Sequence, residues 1–458
     1  MKVSFKKEDL DSVAIFGFGN DGKSVFSFLK KIGVKKIAIF DEAERKIPKE
    51  AENFTGKRCQ EKFLSDFQII FRSPGVRPEK LSKAKKITSS SEFFLENFPG
   101  KTIGVTGSNG KTTTTELISK FFDKKGRRGG NDSKPLLDML LATNCSQENT
   151  AKKSLQKNLN PSPTQIPILE LSSFQLFDIC YSPNYACLTN ISKNHLDWHL
   201  NFLEYKNAKK NIIKFQKEND FAIINFQDKV SRNFVKNTKS NIFAIGERYK
   251  GSEAFLEKNT MQFFLNKKEI FSFPIVKIKI KTHPNNFLMA VSVALLNNIP
   301  SKKIIKVLTE FEGVPDRISF IRRLDQQNFY NDSSCTTPES AITAINNFKK
   351  GTQLILAGGR NKGMDFLELG QNAKLAESKI ILYGEAREEI ATDFKKAGFD
   401  DFSIYQRQEN FDFLELVDLA RKSERENIIF SPACASFDLF ENAKERGRIF
   451  QEVILNLK

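Results

Sequence analysis

The stretch Thr102-Ile103-Gly104-Val105-Thr106-Gly107-Ser108-Asn109-Gly110-Lys111-Thr112-Thr113 decides how this chain is read. Thr102–Thr106 is a short apolar run with the signature of a buried strand. A glycine loop follows, and then a helical pattern from Thr112 to Phe122. A strand, a loop and a helix in that order build a phosphate nest. Gly110-Lys111-Thr112 offers bare backbone, an ammonium and a hydroxyl able to meet a metal ion. Val105 stands where the general motif has its first glycine, so the match is to the later part of the loop. The expected ligand is a nucleoside triphosphate, held by Gly107, Ser108, Asn109, Gly110, Lys111, Thr112 and Thr113.

A second glycine cluster lies upstream. The strand Ser12–Phe16 meets Gly17-Phe18-Gly19-Asn20-Asp21-Gly22, then a helix from about Lys23 to Lys31. The strand Lys36–Phe40 follows and ends at Asp41. This is a βαβ unit with the G-x-G-x-x-G spacing and an acidic residue about 20 positions on, the pattern of a diphosphate-binding turn. Alone it suggests a nicotinamide or flavin enzyme. A triphosphate loop and a separate diphosphate turn in one chain argue against a simple dehydrogenase.

Outward from these loops, apolar runs alternate with helical patterns, which predicts an α/β protein. Further strands are expected at Pro167–Glu170, Ala186–Asn190, Phe221–Asn225, Phe329–Asp332, Leu354–Ala357, Ile380–Tyr383 and Ile428–Phe430. Residues 143–165 are polar, contain Pro161 and Pro163, and read as a loop or partly disordered insertion. Domain boundaries are placed near 98 and 314, giving domains 1–98, 99–314 and 315–458. The length of 458 residues suits three domains at about 150 residues each.

Composition narrows the class. The chain is 40% hydrophobic and 28% charged, which excludes a wholly disordered polymer. No apolar run is long enough for a membrane helix, and residues 1–7 lack the apolar stretch of a signal peptide. The six cysteines, at 59, 145, 180, 187, 335 and 434, form no Cys-x-x-Cys pair, so a reducing cytoplasm is expected and a zinc site is not. The formal charge is +17, but lysine is spread throughout rather than along one stripe. No nucleic-acid partner is expected from it.

With the loop Thr106–Thr113 in hand, four more segments agree in order with one family. They are Glu170-Leu171-Ser172-Ser173-Phe174-Gln175-Leu176, Asn190-Ile191-Ser192-Lys193-Asn194-His195-Leu196-Asp197, Tyr205-Lys206-Asn207-Ala208-Lys209 and Ser431-Pro432-Ala433-Cys434-Ala435-Ser436. Together they resemble the Mur ligases, which build the stem peptide of peptidoglycan, and among them the branch that adds glutamate. The resemblance implies a Rossmann-like UDP-binding domain, a central P-loop ATPase-like domain and a C-terminal Rossmann-like domain. It implies ATP-dependent addition of D-glutamate to UDP-N-acetylmuramoyl-L-alanine through an acyl phosphate, by a monomer using ATP and two Mg²⁺ ions.

The same resemblance assigns residues. Thr112 and Glu170 would sit near one Mg²⁺, His195 and a carbamylated Lys209 near the other. Lys111, Lys209, His195 and Glu170 would be the catalytic set. Gly19, Ser24, Asp41, Ser73, Asn131, Ser172 and Gln175 would meet the UDP-substrate. Arg317 and Asp332 would meet ATP, and Thr336, Lys362 and Ser436 would bind glutamate. Ser334 and Ala443 stand where the family usually has lysine and phenylalanine, and Pro284 and Phe287 where it usually has asparagines. Two alternatives stay open: addition of L-glutamate by the same branch, and a nicotinamide-dependent oxidoreductase using the Gly17–Gly22 turn.

Overall fold

The strands β1 (Ser12–Phe16) and β2 (Lys36–Asp41) pair in parallel, Ser12 opposite Lys36, with α1 (Asn20–Lys31) crossing between them. The computed structural model describes residues 10–131, 136–141, 165–196, 198–246, 252–278, 282–406 and 411–457. The expected insertion lies outside the described residues up to 164, as do residues 1–9, Asp132–Pro135 and Asp197. With β3 (Glu52–Thr55), β4 (Ile69–Arg72) and β5 (Ile87–Thr88), the first sheet is all parallel in the order β3-β2-β1-β4-β5. Its core is phenylalanine-rich: Phe40 stacks on Phe54 with ring centroids 4.6 Å apart and meets Phe67 edge-on. Each such buried ring contributes roughly 1.5–3 kcal/mol. Much of the abundant Phe of this chain is core material.

The second sheet has nine strands. β6 (Ile103–Thr106), β7 (Gly126–Gly130), β8 (Ile166–Glu170), β9 (Tyr185–Leu188), β10 (Phe221–Asn225) and β11 (Asn241–Gly246) run parallel, in the spatial order β11-β10-β9-β6-β8-β7. Beyond β11 lie β12 (Ala254–Glu257), β13 (Thr260–Leu265) and β14 (Lys268–Pro274), the last two pairs antiparallel. The sequence reading placed no strands between Asn225 and Phe329, so this extension is a difference. Its strands alternate buried and exposed residues instead of forming continuous apolar runs. β6 and β8 end side by side, with α3 (Lys111–Phe122) rising from β6. The chain ends of parallel strands are where such sheets expose a crevice for ligands.

The third sheet joins β15 (Ser319–Leu324), β16 (Gln327–Asn331), β17 (Gln353–Gly358), β18 (Lys379–Tyr383), β19 (Phe402–Ile404) and β20 (Asn427–Ala433) in the order β15-β16-β20-β17-β18-β19. β15 is antiparallel to β16, and the remaining pairs are parallel. Two apolar clusters cover its faces, one around Ile355, Ile380 and Phe394 and the other around Phe413, Phe430 and Phe450. The α/β class is as expected. The first two sheets fall in one compact unit (residues 1–191, 206–275 and 285–307) and the third in another (192–205, 276–284 and 308–458).

The first unit also contains α2 (Ser90–Asn97) and α4 (Leu136–Leu141). α2 is capped by Ser89, whose hydroxyl accepts from the Glu92 amide. Glu92 in turn accepts from the Cys180 amide at 2.8 Å, and the Tyr181 hydroxyl donates to Glu96 at 2.7 Å. These contacts fasten the helix after the first sheet to the loop before β9. No described helix is long and apolar enough to cross a membrane.

Candidate active site

The loop after β6 is shaped by two glycines. Gly110 caps α3 in the left-handed region at φ 83°, and a Cβ there would strike Asn286 Oδ1. Gly107 has φ 153°, and a Cβ on it would strike Thr189 Oγ1. The loop backbone is held from the end of β9. The Ser108 amide donates to Asn190 O at 2.8 Å and the Asn109 amide to Asn190 Oδ1 at 3.0 Å. Asn109 O accepts from Thr189 Oγ1 at 2.6 Å and from Asn190 Nδ2 at 3.1 Å. Lys111 folds back, its Nζ 3.0 Å from both Gly107 O and Ser108 O. Thr112 and Thr113 are buried in the first turn of α3, where the helix N-terminus favours anions. Gly107→Ala is expected to weaken ADP binding by about tenfold or more, because the strain and collision cost on the order of 1–3 kcal/mol. Calorimetric titration with ADP measures this.

Lys209, on the helix Phe202–Lys214, is 2% exposed and reaches the same loop. Its Nζ donates to Gly107 O at 2.8 Å and Thr106 Oγ1 at 3.3 Å. Burial, and then the neighbouring Lys111 ammonium, push its pKa well below that of an ordinary lysine, while Glu170 pulls the other way. Glu170 ends β8 and is fully buried. Its carbonyl accepts from the Asn131 amide at 2.9 Å, so β7 is registered against the same point. Lys111, Lys209, Glu170 and Thr112 therefore all sit where β6 and β8 end.

Several residues expected to meet the UDP-substrate have side chains bonded within the fold itself. The Gly17–Gly22 turn is closed by Asp41, whose Oδ2 accepts from the Phe18 amide at 2.8 Å and whose Oδ1 accepts from Ala43 at 3.0 Å. Gly19 caps α1. Ser24 Oγ donates to Asp138 Oδ1 on α4 at 2.8 Å, and Ser73 Oγ to Gly17 O at 2.7 Å. Ser172 and Gln175 form a reciprocal cap on the helix Ser173–Leu176. The Asn131 side chain is exposed.

The other compact unit carries the remaining expected residues. Asp332 is 4% exposed. It accepts from Ser431 Oγ at 2.7 Å and from the Ile318 amide at 3.2 Å, and burial pushes its pKa up to about 7. Arg317 Nη1 lies 3.4 Å from Ser334 O. Thr336 is half-buried, and Ser436 is buried where its carbonyl accepts from Leu439 and Phe440. The Lys362 ammonium lies 5.5 Å from the Phe437 ring centroid. Fully buried Arg446 donates to Ser333 Oγ, Ser333 O and Cys434 O at 2.8–3.2 Å, pinning the two loops that carry Asp332–Thr336 and Ala433–Ser436. His195 is half-buried in the left-handed region at φ 55°, on the segment 192–205 that clusters with this unit.

Three residues at the phosphate loop were not singled out from the sequence. Thr189 and Asn190 read as the end of a strand, yet their side chains hold the loop. Asn286, beside Gly110 and 3.5 Å from Thr114 Oγ1, lies between Pro284 and Phe287, the only positions of that stretch drawn out from the sequence. Its signal was an asparagine in the first turn of an otherwise apolar helix, Pro284–Leu296.

Residues 105–294 match the family model described as the Mur ligase middle domain. The chain is 32% identical to the UDP-N-acetylmuramoylalanine–D-glutamate ligase of Clostridium perfringens, over 97% of each chain. It is 31% identical to the enzyme of that name from Acetivibrio thermocellus, over 99% of this chain and 98% of that one. Among solved structures, UDP-N-acetylmuramate–alanine ligase MurC from Thermotoga maritima superposes with a TM-score of 0.59 at 16% identity, covering 98% and 100% of the two chains. MurF ligase from Thermotoga maritima, in complex with ADP, does so at 0.58 and 17%, covering 98% and 99%. Neither the fold nor the relatives favour the oxidoreductase alternative, and the relatives are named for D-glutamate and not its mirror image. Matched to these relatives along nearly its whole length, with the phosphate loop inside the matched domain, the chain belongs to the Mur ligase family.

Proposed function

We propose that this protein joins D-glutamate to UDP-N-acetylmuramoyl-L-alanine at the expense of ATP, a step in building the peptidoglycan precursor. The observation that carries this is the convergence of Lys111, Lys209 and Glu170 at the phosphate loop, in a chain whose relatives bear that name. A carboxylate oxygen is a poor leaving group. Transfer of the γ-phosphoryl group to it releases ADP and gives an acyl phosphate. The glutamate amine then forms the C–N bond, phosphate leaves with the C–O electron pair, and the nitrogen loses a proton to water. The chain's part is to position the groups and to neutralise charge.

Lys111 and the N-terminus of α3 serve the phosphates. Lys209, with its pKa pulled down by burial, supplies the neutral amine that adds to carbon dioxide, with loss of a proton, to give a carbamate. The donor set then suits Mg²⁺: a buried carboxylate, a threonine hydroxyl and a carbamate are hard oxygen ligands. Thr112 and Glu170 would hold one ion, and His195 with carbamylated Lys209 the second. Bound there, such ions would neutralise charge on the phosphate oxygens.

In this reading Gly19, Ser24, Asp41, Ser73, Asn131, Ser172 and Gln175 serve the UDP-substrate, Arg317 and Asp332 serve ATP, and Thr336, Lys362 and Ser436 serve glutamate. The domains are 1–98, 99–314 and 315–458, and the enzyme works as a cytoplasmic monomer. The test is phosphate release from ATP and Mg²⁺ with UDP-N-acetylmuramoyl-L-alanine and either D- or L-glutamate. The expected product is heavier by one glutamyl residue and forms with the D isomer. Equal or faster turnover with L-glutamate, or no amide at all, would reject the reading.

A further inference from the structure

Arg72 ends β4 with its side chain fully buried, although the other three residues of that strand are apolar. Its planar fork is spent in two directions. Nε and Nη2 grip the two carboxylate oxygens of Asp178 at 2.9 and 2.7 Å, and Nη2 also donates to Phe174 O at 3.2 Å. Nη1 donates to the carbonyls of Ser73, Pro74 and Val76 at 3.3, 3.2 and 2.7 Å. One cation thus joins the loop 73–76 of the first sheet to the segment 174–178 that follows β8.

Both ends of this clamp lead to candidate substrate contacts. On one side, the Ser73 hydroxyl bonds Gly17 O, so the loop is tied to the first glycine turn. On the other, Phe174 lies in the short helix capped by Ser172 and Gln175, just past Glu170. Other contacts across this seam include Arg77 stacked over Phe177 at 5.5 Å, Glu92 accepting from the Cys180 amide and the Tyr181 hydroxyl donating to Glu96. Burying a guanidinium is costly unless it is paired and fully hydrogen-bonded, and lysine cannot reproduce a flat fork with several acceptors. An apolar residue would fill the space more cheaply. What it would lose is a fixed distance between the two sheets' loops.

We propose that Arg72 is a positioning residue. It sets the span between the place where the nucleotide end of the substrate is held and the place where its carboxylate meets the phosphoryl donor. This rests on the ligase reading, because that substrate must bridge both loops. A misplacement of about 1 Å in such a span is enough to cost about 10²-fold in rate.

The test is a kinetic split. Arg72→Met is expected to lower kcat/KM for UDP-N-acetylmuramoyl-L-alanine roughly 10- to 100-fold, with KM for ATP within about twofold. Asp178→Asn, which keeps the shape of a partly exposed side chain, shifts the same constants in the same direction by less. The double variant falls short of the summed effects, because both changes open one clamp. Calorimetry with UDP-N-acetylmuramoyl-L-alanine, and separately with ADP, reads the same split without turnover. Unchanged constants in both variants, or sugar-nucleotide and ATP constants weakening together in step with a fall in Tm, would overturn the role. A wild-type protein that makes no amide would reject the ligase reading, and sugar-nucleotide affinity still selectively weakened in the variants would then leave Arg72 as a determinant of that binding alone.

Discussion

Lys111→Ala lowers kcat by roughly 10³-fold or more, the scale set by removing a preorganised charge partner from a transferring group. The ammonium now rests on two loop carbonyls, Gly107 O and Ser108 O, in the turn where the phosphates are expected. Its removal takes a positive charge from a half-buried site, where solvent compensates only in part. The loop should survive, because its shape comes from Asn190 and Thr189 and not from Lys111. The variant should therefore fold with nearly normal Tm, bind the UDP-substrate as before and fail in phosphoryl transfer. Phosphate release and calorimetry with each nucleotide check these points. A variant within tenfold of wild type would remove Lys111 from the chemistry.

Lys209→Ala is expected to lose a similar factor, roughly 10³-fold, and its recovery is the more informative part. A lysine ammonium at this position would repel a cation. The amine form is favoured because burial and Lys111 both drive the pKa down, and Glu170 restores only part of it. The reactive amine is thus present at pH values where a surface lysine is protonated. Stripping carbon dioxide from the wild-type buffer should slow turnover, and bicarbonate should restore it. In Lys209→Ala bicarbonate should do nothing, while a small carboxylate such as acetate should recover part of the rate. Wild-type turnover indifferent to carbon dioxide, together with an active Lys209→Ala, would refute the carbamate.

Much of this site was legible because its signals are local. Ser12–Phe16 and Phe221–Asn225 form strands with the bounds their apolar runs imply. The phosphate loop is visible from Gly107 to Thr113 because the need for glycine and a following helix is written within eight residues. Helix α1 begins at Asn20, three residues earlier than its pattern suggests. Gly22 packs inside the first turn, where a Cβ would strike Gly17 O, so a residue that reads as loop is helical. β9 stops at Leu188 because Thr189 and Asn190 turn out to hold the loop.

What the sequence hid is non-local. β7, Gly126-Arg127-Arg128-Gly129-Gly130, has almost nothing of a strand in its composition, and it is a strand because it pairs with β8. Arg72 and Asp178 are 106 positions apart, and nothing in either neighbourhood announces the other. Asp41 and Ser73 illustrate a subtler limit. Motif spacing marks Asp41 for a ligand and family resemblance marks Ser73, but their polar atoms are already committed to the turn itself, Asp41 to the Phe18 amide and Ser73 to Gly17 O.

The bonds from Thr189 and Asn190 to the phosphate loop have an energetic consequence for ligands. A cradle whose amides are already pinned has little chain entropy left to lose when a nucleotide arrives, so most of each new contact survives as affinity. Rigid mimics of a polyphosphate should gain more here than supple ones, since the receptor has nothing to rearrange around them.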